Sequence, residues 1–234
     1  MGSNAAAEGR PRGRKRLTNQ TPPPSDRTRV KRLHERGRYD RATIDAILDA
    51  MPVCHIGYSI NGLPYATPTL QWREGDHVYW HGSSASGMLR AIDGALVCLT
   101  VTILDGFVVA RSAFHHSLNY RSVMLFGRAE KVRDDAAKLQ HLERLIEGLF
   151  PGRWQTLRPV NAKELKATAV FALPIDEASA KVRTGGPKDD EADYALPIWA
   201  GVVPVRLQLL PPEDDPRNLP DVSVPADVGA LKIG

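Results

Sequence analysis

Two stretches of the chain combine residue types that could do chemistry. The first runs Gly82-Ser-Ser-Ala-Ser-Gly-Met-Leu-Arg90, directly after His81. Small hydroxyl residues entering a helix offer backbone N–H groups, the Ser83 and Ser86 hydroxyls and the positive helix end to an anion, and Arg90 adds a charge. That set suits a phosphate monoester, although Ser83 or Ser84 would also serve as an ordinary helix cap. The segment lacks the Gly-Lys-Ser/Thr ending of a phosphate-binding P-loop and the Gly-x-Ser-x-Gly of a nucleophile elbow.

The second stretch is Arg111-Ser-Ala-Phe-His-His-Ser-Leu-Asn-Tyr-Arg-Ser122, a dense polar cluster between apolar runs. It has less Gly, Pro and Asp than an exposed loop would carry, which favours a ligand cleft. His115 and His116 are candidate proton donors, because imidazole titrates near neutral pH. No metal site is expected: His77 and His81 share a strand face and His115 and His116 are adjacent, but no Cys, Asp or Glu partners stand at ligand spacing. His55 reads as a core histidine, and His34 and His141 as surface residues. Trp72, Trp80 and Trp154 read as packing residues, whereas Trp199 is placed to reach a ligand.

These residues need a scaffold, and the patterning supplies a mostly β one. Asp40 caps a helix with Ile44, Ile47, Leu48 and Met51 at helical spacing, and Pro52 ends it. Strands are expected over 53–60, 63–72, 77–81, 95–104, 107–112, 120–132 and 167–173. Asn61-Gly62 and Asp105-Gly106 read as two-residue hairpin turns. Pro64 and Pro68 cannot donate ladder hydrogen bonds, so their strand must have an edge or an irregular stretch. Residues 134–149 form an amphipathic helix, and Asn161 with Glu164 a capping box. The sum is a mainly β fold with flanking helices, a meander of about six antiparallel strands that closes into a barrel to avoid exposed edges. The chain beyond Pro174 reads as a looser extension.

Charge divides the chain. Residues 1–38 hold 11 Lys/Arg against 3 Asp/Glu, and the remainder 20 against 24. Residues 1–27 read as a disordered basic leader, the only part suited to nucleic acid, and only through charge, since it has no aromatic residue for stacking. Residues 28–210 read as the folded domain with its extension, and 211–234 as a Pro/Asp-rich tail. No window reaches the run of about 18 apolar residues that a membrane span needs, and no secretory signal follows the basic start. The two cysteines, Cys54 and Cys98, sit in apolar runs and read as buried, reduced thiols of a cytoplasmic protein.

Several of these segments resemble one family. Tyr39-Asp-Arg-Ala-Thr-Ile44, Val53-Cys-His-Ile-Gly57, Pro68-Thr69, Val78-Tyr-Trp-His-Gly-Ser83, Leu104-Asp-Gly106, Arg111 to Ser117, Asn119 to Val123, Phe126-Gly-Arg128, Ser179 to Arg183 and Trp199 to Val202 are similar, in order, to the pyridoxamine 5'-phosphate oxidase-related flavin-nucleotide-binding proteins, nearest their nitroimidazole-reductase-like branch. The resemblance implies a six-stranded split β-barrel, FMN as cofactor and a homodimer with the flavin at its interface. By position, Pro68 and Thr69 would approach the flavin ring. His81, Ser83, Ser86 and Arg90 would hold the phosphate, Ser117, Asn119, Tyr120, Arg121 and Ser122 would line the site, and Lys181, Arg183 and Trp199 would complete it. The chain departs from the pattern at Gly87, where a basic residue is expected. FAD, haem or a deazaflavin in place of FMN stays open. An oxidoreductase passing hydride or electrons to a small flat substrate is the implied activity; a non-catalytic flavin carrier or sensor and a pyridoxamine 5'-phosphate oxidase-like oxidase are the alternatives.

Overall fold

The structure, a computed structural model, describes residues 21–231 and Ile233. The basic run Arg10 to Arg16 and most of the leader therefore lie outside the described residues. The described chain is tied down early: Thr28 is buried, its hydroxyl donates to the Ser25 carbonyl (2.9 Å), and Arg27 pairs with Glu177 and lies 4.8 Å over the Phe126 ring.

Four helices, α1 (Arg41–Ala50), α2 (Gly87–Ala91), α3 (Asp135–Leu149) and α4 (Ala162–Ala167), surround a single sheet. Its strands are β1 (Gly37–Arg38), β2 (Val53–Ile60), β3 (Leu63–Glu74), β4 (His77–Ser83), β5 (Leu96–Val109), β6 (Ser117–Arg128), β7 (Glu130–Lys131), β8 (Thr168–Pro174), β9 (Glu177–Arg183) and β10 (Gly201–Pro204). The order is β1-β9-β6-β5-β2-β3-β4-β8-β7, with β10 on β5 and every pairing antiparallel. Strands from both halves of that order, with α1 against them, bury one core that includes Ile56, Trp80, Leu99, Leu125, Phe171 and Ala180. The sheet thus coils around a shared interior as a split barrel.

Local chemistry explains most of the elements. Asp40 accepts the Thr43 N–H (2.9 Å) at the start of α1, Asp134 caps α3 in the same way, and Asn161 and Glu164 form the capping box of α4. Asn61 (φ 51°) and Gly62 (φ 79°) make the β2–β3 hairpin, where both turn positions need the left-handed region. Pro64 and Pro68 fall in the half of β3 that pairs only with β2, so their missing N–H groups face an open edge; pairing with β4 begins at Gln71.

Five readings of the pattern are corrected. Asp105-Gly106 is not a hairpin: β5 runs through it, and the register against β6 slips there as a β-bulge. A third strand, β10, covers the slip, pairing Pro204 with Gly106 and Val203 with Phe107. Residues 177–183 form a strand paired on both edges rather than the start of a loose extension. Ala178 and Ala180 fill the barrel interior where space is short, so the strand lacks the branched residues that advertise one. The described residues hold ten strands rather than six, three of them two to four residues long. Finally, the side chain of His55 is exposed, because its neighbours Cys54 and Ile56 take the interior face, and His141 is largely buried.

Candidate functional site

The strand register sorts the candidate side chains onto two faces. Cross-strand partners share a face, as do residues two apart. One row runs Pro68 (β3), His55 (β2), Thr100 (β5), Met124 (β6) and Ser179 (β9). Two residues along β6, a second row runs Thr102, Ser122, Lys181 and Gly37. Tyr120 and Arg183 pair next to it. The residues between, such as Leu99, Val101, Val123 and Ala180, are buried, so both rows lie on the outer face of the barrel. Three inter-strand steps of about 4.8 Å put Pro68 roughly 14 Å from the β6 end of its row. That outer face is open and partly apolar: Val53, Leu96 and Met124 are 48%, 55% and 43% exposed.

The β6–β9 end is the best-organised part. Asn119 and Arg183 are each 7% exposed and hydrogen-bond to each other, Nη1 of the arginine donating to the amide oxygen. Asn119 Nδ2 donates to the Gly185 carbonyl (3.1 Å), and Arg183 donates to the carbonyls of Gly185 and Gly186 (3.2 Å each). Arg183 Nε is buried without a partner. Burial and then the neighbouring Arg36 charge hold the Arg183 guanidinium below its ordinary pKa. Ser122 Oγ reaches the Lys181 carbonyl at 3.4 Å.

Other candidates sit elsewhere. Thr69 pairs with buried Cys54 and so has the opposite parity to Pro68. Arg121 pairs with Ile103, not with the outer rows; its guanidinium is gripped by Asp105 (2.9–3.2 Å) and lines a cavity of about 500 Å³ with Pro204, Arg206 and Leu207. Ser117 begins β6 opposite Val108. His115 and His116 end the short 3-10 turn between β5 and β6; His116 Nδ1 lies 2.9 Å from the Ser112 carbonyl, and His115 Nε2 lies 3.7 Å from Asp190. Trp199 is 66% exposed, and its indole lies against its own chain at Gly201.

His81 stands on the outward side of β4, its ring 6.1 Å from Trp72. It belongs to an aromatic wall with Tyr79, which stacks 4.2 Å from His141 of α3. Glu74 ties this wall together, accepting from Trp72 Nε1 (2.6 Å) and Arg144 (2.5 Å) and meeting His141 Nδ1 at 3.0 Å. Burial lowers the His81 pKa, which keeps the imidazole neutral. After it, Ser83 Oγ accepts the Ala85 N–H (3.2 Å), and Ser86 takes the cap position of α2 without a side-chain bond. Arg90 is exposed in the last turn of that five-residue helix, away from its N-terminal end. The 81–90 segment therefore offers hydroxyls and backbone N–H groups but no cation at the helix start.

The sequence reading missed Arg36 and Arg38. With Arg183 and Lys188 they line a pocket of about 170 Å³ at the end of β9. Clustered arginines before a helix cap were the available signal, but the charge ran on from the basic leader and hid it. Neither cysteine is a nucleophile candidate: both are free thiols, Cys98 is half-buried, and burial pushes Cys54 up to about 12. Among the described residues, no helix is long and apolar enough to cross a membrane, and no three His, Cys, Asp or Glu side chains converge as metal ligands would.

Comparison with known proteins places this arrangement. Residues 40–182 match the family model described as pyridoxamine 5'-phosphate oxidase. Among solved structures, the flavocytochrome Anf3 from Azotobacter vinelandii is 58% identical, over 91% of this chain and 99% of its own, with a TM-score of 0.88. An FAD- and heme-binding protein from Mycobacterium smegmatis is 38% identical over 84% and 97%, with a TM-score of 0.81. A candidate 5-nitroimidazole antibiotic resistance protein from Bacteroides thetaiotaomicron, 21% identical over 62% and 86% with a TM-score of 0.52, shares the fold. No curated protein matches. With most of its barrel inside the family model and a majority of residues shared with a solved relative, the chain belongs to the pyridoxamine 5'-phosphate oxidase family of flavin-binding split barrels.

Proposed function

We propose that this protein is a flavin-dependent oxidoreductase that holds FAD, and with it a haem, on the outer face of the barrel where two copies meet. The observation that carries the flavin reading is the open face itself. A row from Pro68 to Met124 offers an open, partly apolar platform, and it ends beside the polar strip of Tyr120, Ser122, Lys181 and Arg183. A heteroaromatic ring with a charged tail needs that combination. FAD is preferred to FMN because the relative from M. smegmatis binds FAD and heme and the one from A. vinelandii is a flavocytochrome. The exposed Val53, Leu96 and Met124 favour a second copy as the cover of this face.

The flavin would supply hydride or electron transfer. The chain's own residues bind and orient. Lys181 and Arg183 attract the anionic tail, Ser122 and Tyr120 offer hydroxyls along the strip, and the apolar row excludes water from one ring face. His81, kept neutral by burial, and the hydroxyls of 83–86 form a second polar rim on the far side of the platform.

An absorbance spectrum of the purified full chain, with the released cofactor identified by mass, tests the reading. Flavin bands, a Soret band and the mass of FAD are expected. Bleaching of the flavin by NADH or NADPH and reoxidation by a small acceptor would mark an oxidoreductase; a flavin that cannot be reduced by either donor would favour a carrier. Protein that is colourless and takes up no added flavin would overturn the proposal.

A further inference from the structure

Four cations share one small pocket with a single carboxylate. Arg36, Arg38, Arg183 and Lys188 line the 170 Å³ space together with Glu35. Among the described residues the Glu35 carboxylate approaches only Arg36, at 3.9 Å. Arg38 spends its Nη1 donors on the carbonyls of Glu35 and Gly37, both at 2.7 Å. Arg183 donates to carbonyls and to an amide, all neutral acceptors, and its Nε has no partner. Among the described residues no carboxylate lies within ion-pairing distance of Arg38, Arg183 or Lys188. A guanidinium that is 7% exposed, with like charges beside it and no counter-ion among the described residues, is destabilising unless an anion is bound there.

The pocket's shape narrows the anion. Its volume of about 170 Å³ leaves room for a small polyoxyanion such as a diphosphate. The heads of Arg36 and Lys188, which make no hydrogen bond to a described residue, with the donors that Arg38 and Arg183 have left over, suit an anion carrying several oxygens around two centres better than a single carboxylate. The pocket also continues the outer face, since Arg183 pairs with Tyr120 and Lys181 with Ser122. It is separate from the 81–90 segment, which lies on β4 and α2.

We propose that the pocket of Arg36, Arg38, Arg183 and Lys188 binds the diphosphate bridge of a dinucleotide. Two dinucleotides carry this group: the FAD of the reading above, on which that identity rests, and a nicotinamide dinucleotide acting as electron donor. The pocket itself is argued independently of either.

The test compares the full chain with Arg36→Gln and Lys188→Gln, checked for unchanged thermal midpoint, with Lys188→Arg as the conservative control. Affinities are measured for FAD, FMN, NADPH and inorganic pyrophosphate after the resident cofactor has been removed. Each loss of a charge-assisted contact is expected to weaken pyrophosphate by about tenfold or more, with recovery in Lys188→Arg. Weakened FAD with unchanged FMN assigns the bridge to the flavin, and weakened NADPH with unchanged FAD assigns it to the donor. Pyrophosphate that fails to bind, or that binds all variants alike, overturns the proposal, as does equal weakening of FAD and FMN. A chain that takes up neither flavin sinks the flavin reading alone, because the pyrophosphate titration still reads the pocket.

Discussion

Asn119 and Arg183, 64 residues apart in sequence and both buried, are joined side chain to side chain across the β6–β9 pair. The amide accepts from the guanidinium and donates to the Gly185 carbonyl, so one residue fixes both the cation and the turn beyond it. Asn119→Leu removes that acceptor and strands a buried charge. A loss of about 2–3 kcal/mol is expected, read as a lower urea midpoint with an unchanged slope. Asn119→Asp gives Arg183 a counter-charge instead. Because the donor to the Gly185 carbonyl is lost, it should cost some stability, but less than Asn119→Leu, while weakening pyrophosphate binding, because the anion's place in the charge balance is taken.

His81 makes stability depend on pH. Its folded-state pKa lies below the ordinary 6.5 because the imidazole is buried. As pH falls through 6.5 the unfolded chain takes up a proton that the folded chain refuses, so stability declines until the folded-state pKa is passed. His81→Gln removes that proton uptake. The drop in thermal midpoint between neutral and mildly acidic buffer should be smaller in the variant than in the wild type, and equal drops would discard the assignment.

Gln71 closes the end of α1. Its buried Nε2 donates to the carbonyls of Leu48 and Met51, both at 2.7 Å, which the helix itself leaves without partners. Gln71→Leu keeps the bulk and removes both bonds. Chemical denaturation should show a loss of about 1–3 kcal/mol, with Gln71→Glu less harmful only at a pH where the new carboxyl is protonated and can donate.

Gly106 lets β10 lie on the bulge of β5. A Cβ there would stand 2.8 Å from the Val203 carbonyl oxygen and 3.3 Å from Pro204 Cα, both backbone atoms. Gly106→Val should push β10 off and expose the chain beyond Trp199, seen as faster limited proteolysis there with the barrel core still protected.

Met124 stands in the middle of the open face, 43% exposed, in register with Thr100 and Ser179. If a second copy covers this face, Met124→Asp puts a charge into the contact and should turn a dimer into a monomer in sedimentation velocity. A wild type that sediments as a monomer would refute the dimer.

Much of the architecture was legible from local signals. Asp40, Asn61-Gly62, Asp134 and the Asn161–Glu164 pair each act within a few residues of themselves, so their helix caps and turn could be read in one dimension. The prolines of β3 likewise announced an open edge. The Asp105-Gly106 dipeptide looked like a hairpin because turn chemistry cannot report that β10, almost a hundred residues later, lays itself across the same point and keeps β5 running. Strand β9 went unread because its alanines owe their burial to the barrel interior, not to their own hydrophobicity.

What the sequence by itself determined was the family, the mostly β character and the polar stretch that supplies Asn119, Tyr120 and Ser122. Only tertiary structure decided which of those residues work together. Side chains alternate faces along a strand, so Ser122 and Tyr120 turn outward while Arg121 between them turns to Asp105. Charge decided the rest in three dimensions: Arg36 and Arg38 follow the basic leader as further unassigned charge in the sequence, and the pairing of β1 with β9 sets them beside Arg183, which is buried without a counter-ion among the described residues.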